Sequence, residues 1–266
     1  MILDYHMHLR DAAGGIDHTA DAAERFVEVA SERGVDEIGF TEHVYYFEQT
    51  AAFWPWPYHQ ERCHFDLDVY VDALVEAKRR GLPVKVGLEV DWAGERAGEL
   101  ADVLAPYPWD FLLGSVHMLG DHAIDNGVGL GIWAELPEDV VWERYVEELA
   151  AAARSGHFDV LSHPDLAKIY GVPGSDHLYS ELAAAVDEGG VALEISTAGL
   201  RKPVGELYPD ARLLGLSSAP VTLASDAHEP PLVGEDFDVA VAFAHANGRD
   251  TVSVFDARVR RQEPLG

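Results

Sequence analysis

The chain has 266 residues, 48% of them hydrophobic, and 19 Lys+Arg against 47 Asp+Glu leave a formal charge of −28 at neutral pH. A chain of this size and apolar content buries roughly 70–75% of the surface its unfolded form exposes, so intrinsic disorder is excluded and a single domain over 1–266 is the economical expectation. The charge repels phosphate backbones and anionic headgroups, which argues against nucleic acid and membrane as partners and favours a metal ion or a cationic or zwitterionic small molecule.

Short apolar runs alternate with amphipathic segments from end to end. Strands are predicted at Ile2–His6, Glu37–Thr41, Val84–Glu89, Phe111–His117, Val160–His163, Ala192–Ser196, Val221–Ser225 and Thr251–Phe255. Helices are predicted between them at Ala20–Arg33, Leu67–Arg80, Ala93–Leu104, Pro137–Ser155, Leu178–Glu188, Glu206–Leu214 and Val233–Ala246, several followed by a glycine such as Gly34, Gly81 or Gly156. Strand–helix repetition over seven or eight units argues an α/β fold whose parallel sheet closes into a barrel. Two connections exceed what a barrel needs: the aromatic, proline-bearing 44–65 and the glycine-rich 120–135. Both are candidate walls of a binding site. The lone Cys63 excludes an internal disulfide framework, and no signal peptide or run of 18 apolar residues is present, so a cytoplasmic location is expected.

His6, His8, His43, His117, His163 and His228 fall at or just past the C-terminal ends of predicted strands, as do Glu89 and Asp226. In a parallel barrel those ends converge on one face, where catalytic residues come from several strands. In Asp-Tyr-His-Met-His the imidazoles are i and i+2 on an extended chain and point the same way, and Asp226 with His228 repeats the spacing. Imidazole with carboxylate suits Zn, Mn, Fe or Co better than Ca or Mg. His18, before the first helix, is either an ordinary loop residue or a ligand brought back over the rim. His59, His64, His122, His157, His177 and His245 lack comparable context and are expected at the surface or at caps.

Together Asp-Tyr-His-Met-His, Gly-Phe-Thr-Glu-His (39–43), Gly-Leu-Glu (87–89), Gly-Ser-Val-His (114–117), Ser-His-Pro-Asp (162–165), Glu-Ile-Ser-Thr-Ala-Gly-Leu-Arg-Lys-Pro (194–203) and Ala-Ser-Asp-Ala-His (224–228) resemble the PHP (polymerase and histidinol phosphatase) family, in its histidinol-phosphatase branch. The resemblance implies a distorted, TIM-like (β/α)7 barrel of PHP type with two or three divalent ions. It implies that His6, His8, Glu89 and Asp226 hold one ion, that Glu89 bridges to a second with His117 and His163, and that His43, His228 and His18 hold a third. The spacer from His8 to His18 is longer than is usual in the family.

Two ions about 3.5–4 Å apart can lower the pKa of a bridging water and clamp a phosphate. Such a centre would release phosphate from a small phosphomonoester, histidinol phosphate above all, with Glu89, Asp226 and Arg201 as the catalytic set. Arg201 offers phosphate a bidentate fork, and Lys168 is a second phosphate candidate. Tyr45 and Trp54, with Tyr46, Phe53 and Trp56, could stack an imidazole ring, and Glu42 or Asp91 could balance its ammonium; equally, the aromatics could close a core beneath the loop. Rival readings are a phosphoesterase of the same fold acting on another phosphate ester or nucleotide, an amidohydrolase, and a non-catalytic metal-binding or regulatory protein. Oligomeric state is not legible.

Overall fold

The computed structural model describes residues 1–11, 13–125 and 131–266. Seven parallel strands run in sequence order around a barrel: β1 (Leu3–Asp4), β2 (Glu37–Phe40), β3 (Val84–Asp91), β4 (Phe111–Ser115), β5 (Val160–Leu161), β6 (Ala192–Ser196) and β7 (Val221–Ala224). Each is followed by a helix on the outside, in order α1 (Ala20–Glu32), α2 (Leu67–Arg79), α3 (Ala97–Leu104), α4 (Glu138–Arg154), α5 (Asp176–Gly189), α6 (Ala211–Leu216) and α7 (Phe237–Ala246). This is the TIM-like (β/α)7 arrangement expected from the sequence. The seam between β1 and β7 closes through single bonds: the Tyr5 amide donates to Leu223 and the His8 amide to Ala227. Asp4 ties it further, accepting from the amides of Ser225 and Gly234 at 2.9 Å each. Burial outweighs those bonds and pushes its carboxyl up to about 6.

The helices form where local sequence provides both a start and an apolar stripe. Thr19 caps α1 through its hydroxyl on the Ala22 amide, and Asp66 caps α2 on Asp68. Val141, Trp142, Tyr145, Val146 and Leu149 supply the i, i+3, i+4 face that buries α4.

Two expected elements end differently. The eighth strand, Thr251–Asp256 (β8), pairs antiparallel with Val259–Pro264 (β9) and stays outside the barrel. Its Phe255 instead packs on Phe111 at 5.9 Å and Tyr5 at 6.4 Å beneath the barrel. The helix expected from Glu206 begins only at Ala211, because Tyr208 is held extended by reciprocal backbone bonds to Ser196. The side-chain period of two puts Gly87, Glu89 and Asp91 of β3 on the same face as their register partners Phe111, Leu113 and Ser115 of β4. The Phe111 ring passes where Cβ atoms at Gly39 and Gly87 would stand, 2.7 and 2.8 Å away, so only glycine admits it.

The connection 44–65 is ordered by short helical turns at Val44–Tyr46, Glu48–Phe53 and Pro57–Gln60. Residues 126–130 of the second long connection lie outside the described residues. Among the described residues no helix is long and apolar enough to cross a membrane.

Candidate metal centre

The strand ends bring His6, His8, His43, His117 and His163 together around the buried Glu89, while His228, half exposed, stacks on His8 at 4.1 Å. Glu89 Oε2 lies 2.7 Å from His43 Nδ1, 3.4 Å from His6 Nε2 and 3.9 Å from His8 Nε2. Its Oε1 lies 3.0 Å from His163 Nε2 and 3.4 Å from His117 Nε2. Asp226 Oδ1 completes the group at 3.4 Å from His8 Nε2 and 3.7 Å from His6 Nε2. Four of these atoms, His6 Nε2, His8 Nε2, His43 Nδ1 and Glu89 Oε2, are buried without a hydrogen-bond partner. Burying a polar atom unpaired costs roughly 1–3 kcal/mol, so such a cluster needs a reason. Ligands held about 2.1 Å from one ion at tetrahedral angles stand roughly 3.4 Å apart, which is the spacing of three of these pairs, His6–Glu89, His117–Glu89 and His8–Asp226. His6–His8–Glu89 and His43–Glu89–His117 each offer three donor atoms to a single point, with Glu89 common to both. Borderline nitrogen with carboxylate oxygen fits divalent transition metals.

Behind the imidazoles stand carboxylates. His6 Nδ1 meets Glu194 at 2.8 Å, His8 Nδ1 meets Glu42 at 3.0 Å and His117 Nδ1 meets Asp91 at 2.9 Å. This fixes each ring so that its other nitrogen faces the centre, as outer-shell partners of metal-binding histidines do. Burial opposes charging of His6, but Glu194, Glu89 and Asp226 hold it well above the ordinary imidazole value. Burial opposes His117 too, and Asp91 with Glu89 pushes it up to about 10. Burial would raise Glu89, yet His6, His117 and His43 hold its carboxyl well below the usual range. His163 and Asp226 adopt φ of 26° and 52°, a left-handed region that costs a non-glycine residue about 1–3 kcal/mol. Strain of this kind collects where surrounding structure dictates side-chain placement.

Several expected site residues are placed elsewhere. His18 is not brought to His43 and His228: its Nε2 lies 3.5 Å from Glu42 and its ring packs against Phe47, Phe65 and Tyr70. Glu42 and Asp91, expected to balance a substrate ammonium, are both buried and engaged with histidines. Lys168, the second phosphate candidate, is engaged within the protein: its buried Nζ donates to the Leu207 carbonyl at 2.7 Å and faces Asp165 at 3.2 Å. Trp54 is a core residue, its indole N–H donating to Thr50 Oγ1 at 3.2 Å. Arg201 does not line the cavity above the centre; it donates to the Ser225 carbonyl at 2.5 Å and stands 3.4 Å from Glu235.

That cavity measures ≈ 280 Å³ and opens onto Glu89, His117, His163, Asp226 and His228. Tyr45, stacked on His43 at 4.9 Å, lines it as expected, with Tyr46 and Tyr58. Several participants escaped the sequence reading, Tyr58 and Asp125 of the cavity wall among them. Lys202, beside Arg201, lines the cavity. His59, expected at the surface, is buried among Tyr45, Trp54 and Tyr58. Glu194 lies in the quoted Glu-Ile-Ser-Thr motif, but its reach to His6 crosses the barrel interior, which no local spacing announces.

Residues 4–198 match the family described as PHP domain. The chain is 31% identical over 267 residues to a Deinococcus radiodurans protein described as "Probable histidinol-phosphatase", covering 99% of both chains. It is 26% identical to the histidinol-phosphatase of Bacillus subtilis, covering 88% of this chain and 96% of that one. In fold it is similar to the histidinol phosphate phosphatase of Lactococcus lactis solved with zinc, L-histidinol and phosphate, at a TM-score of 0.75 and 20% identity over 98% of each chain. With the ligand-bearing strand ends in place and the relationship spanning the whole chain, this protein belongs to the PHP-domain family, among its histidinol-phosphatases.

Proposed function

We propose that the chain hydrolyses L-histidinol phosphate to L-histidinol and phosphate at the Glu89 centre. The observation that carries this reading is the set of unpartnered, buried nitrogen and carboxylate atoms converging on the floor of a cavity of substrate size. In this reading His6, His8, Glu89 and Asp226 hold one divalent ion, and Glu89, His117 and His163 hold a second. Zn, Mn, Fe and Co all suit the donors. When bound, the pair supplies a water of lowered pKa and clamps the phosphate oxygens against the charge that builds in the transition state.

The chain's own groups do the rest. Glu194, Glu42 and Asp91 keep the imidazoles in register, so no reorganisation is needed as charge develops. Lys202 offers a cation to the phosphate, while Tyr45, Tyr46 and Tyr58 present ring faces to an imidazole and Asp125 presents a carboxylate to an ammonium. Arg201 supports the backbone of Ser225, immediately before Asp226, and so acts on the site through that strand end. The single apolar cluster running through the described core supports one domain over 1–266. A cytoplasmic setting belongs to the same reading, since Cys63 leaves no internal disulfide to demand an oxidising compartment.

The test is phosphate release by metal-loaded protein from L-histidinol phosphate, p-nitrophenyl phosphate and a nucleotide panel. Histidinol phosphate should be preferred by roughly 100-fold or more in kcat/KM, and EDTA should abolish turnover until metal is restored. Equal rates on histidinol phosphate and p-nitrophenyl phosphate would reduce the assignment to a PHP phosphoesterase of another substrate.

A further inference from the structure

Arg10 carries a permanent positive charge into the barrel mouth. It is buried, its Nη1 stands 2.6 Å from Glu42 Oε2 and donates to the Leu9 carbonyl at 2.8 Å, and its Nη2 lies 3.4 Å from Glu42 Oε1. Glu42 has little capacity left for an ion. Its Oε1 also meets His8 Nδ1 at 3.0 Å and accepts the His43 amide at 3.2 Å, while His18 Nε2 stands 3.5 Å from its Oε2.

Beside this pair lies the corner formed by His8, His43 and His228. His8 bonds Glu42 through Nδ1, and in the two-ion reading its Nε2, which faces Asp226 and Glu89, belongs to the first ion. Only the imidazoles of His43 and His228 remain there, whereas a transition-metal site ordinarily draws three or more protein ligands. Glu42 ties the Arg10 guanidinium to that corner, since the same carboxylate meets His8 Nδ1 and accepts the His43 amide.

The local sequence explains the arrangement. Arg10 and Ile16 pair across an antiparallel bridge, the Asp11 amide donates to the Gly15 carbonyl at 2.7 Å, and Asp11 Oδ1 accepts the amides of Ala13 and Gly15. This turn absorbs the long spacer after His8. It leaves Arg10 beside Glu42 and delivers His18 into the pocket of Phe47, Phe65 and Tyr70.

We propose that the Arg10 guanidinium, fixed on Glu42, stands in for a third metal ion at the His43–His228 corner, so that two divalent ions and one permanent organic cation complete this centre. The inference rests on the two-ion reading of the Glu89 cluster. A guanidinium keeps its charge at every working pH, and like-charge repulsion with the saturation of Glu42 disfavours a further ion beside it.

Metal content decides it. The full chain is reconstituted with excess Zn or Mn, passed through gel filtration and measured by elemental mass spectrometry. Wild type and His18→Ala should each retain about two ions per chain, and Arg10→Met, with Glu42 released, should rise toward three in excess metal. Three ions in wild type, falling to two in His18→Ala, would overturn the proposal, and so would an Arg10→Met chain that folds yet stays at two. If circular dichroism shows Arg10→Met unfolded, the wild-type and His18→Ala counts decide alone. Fewer than two ions in wild type would instead overturn the two-ion reading beneath it.

Discussion

At the N-terminal end of the barrel Phe111 stacks on Tyr5 at 4.8 Å and on Phe255 at 5.9 Å, and the Tyr5 hydroxyl is taken up by Glu37. At the C-terminal end the same strands leave His6 Nε2, His8 Nε2, His43 Nδ1 and Glu89 Oε2 buried and unpartnered. One end is filled with interlocking rings. The other holds polar atoms and strained backbone at His163 and Asp226, each unfavourable for folding. The contrast teaches that the aromatic end contributes stability while the histidine end spends it on a preformed site, and that the two should respond to mutation separately.

The sharpest break is at Glu89. Glu89→Gln keeps size and shape but removes the carboxylate common to both ligand groups, so turnover should fall roughly a thousand-fold or more, equivalent to about 4 kcal/mol. Metal content should fall with it while circular dichroism is unchanged, and near-normal activity with full metal would remove Glu89 from its shared position. The opposite end is tested by Phe111→Ala, which should cost about 3–5 kcal/mol of stability in urea unfolding and leave metal stoichiometry of the folded fraction intact. A loss of metal content below the unfolding transition would show that the two ends are not independent.

Smaller effects sharpen the picture at the histidine end. Asp91→Asn leaves His117 without its charged partner and should weaken metal affinity by about 10–100-fold, read by competition with a chromophoric chelator. Because the carboxylates keep His6 and His117 protonated in the metal-free protein at neutral pH, metal binding must displace those protons. Calorimetry in buffers of different ionisation enthalpy should therefore show release of about two protons at pH 7, with affinity weakening as pH falls. For the metal-free chain the sign is set by a folded value above the unfolded one. The stabilisation from His117 is full below the ordinary imidazole value of 6.5 and is lost as pH rises toward about 10. Metal binding with no proton release at pH 7 would contradict this charge state.

The sequence by itself determined the barrel, through the alternation of apolar runs with capped amphipathic helices, and it determined which histidines reach the rim. Strand ends are local features, and parallel closure sends every such end to one face, so His6, His8, His43, His117, His163 and His228 could be chosen by position along the chain. Only the tertiary structure decided what each polar residue meets across the barrel. Glu42 looked available to a substrate, yet it is enclosed by Arg10 and His8; Lys168 looked like a phosphate ligand, yet it is tied to Leu207 from 39 residues away. Glu194 and His6 are 188 residues apart and meet because barrel closure leaves only β7 between their strands. His18 was settled by the path of a single turn between Arg10 and Ile16. Periodicity states which way a side chain points from its own strand, but the partner it finds depends on how all seven strands tilt and close, and that is a property of the assembled barrel alone.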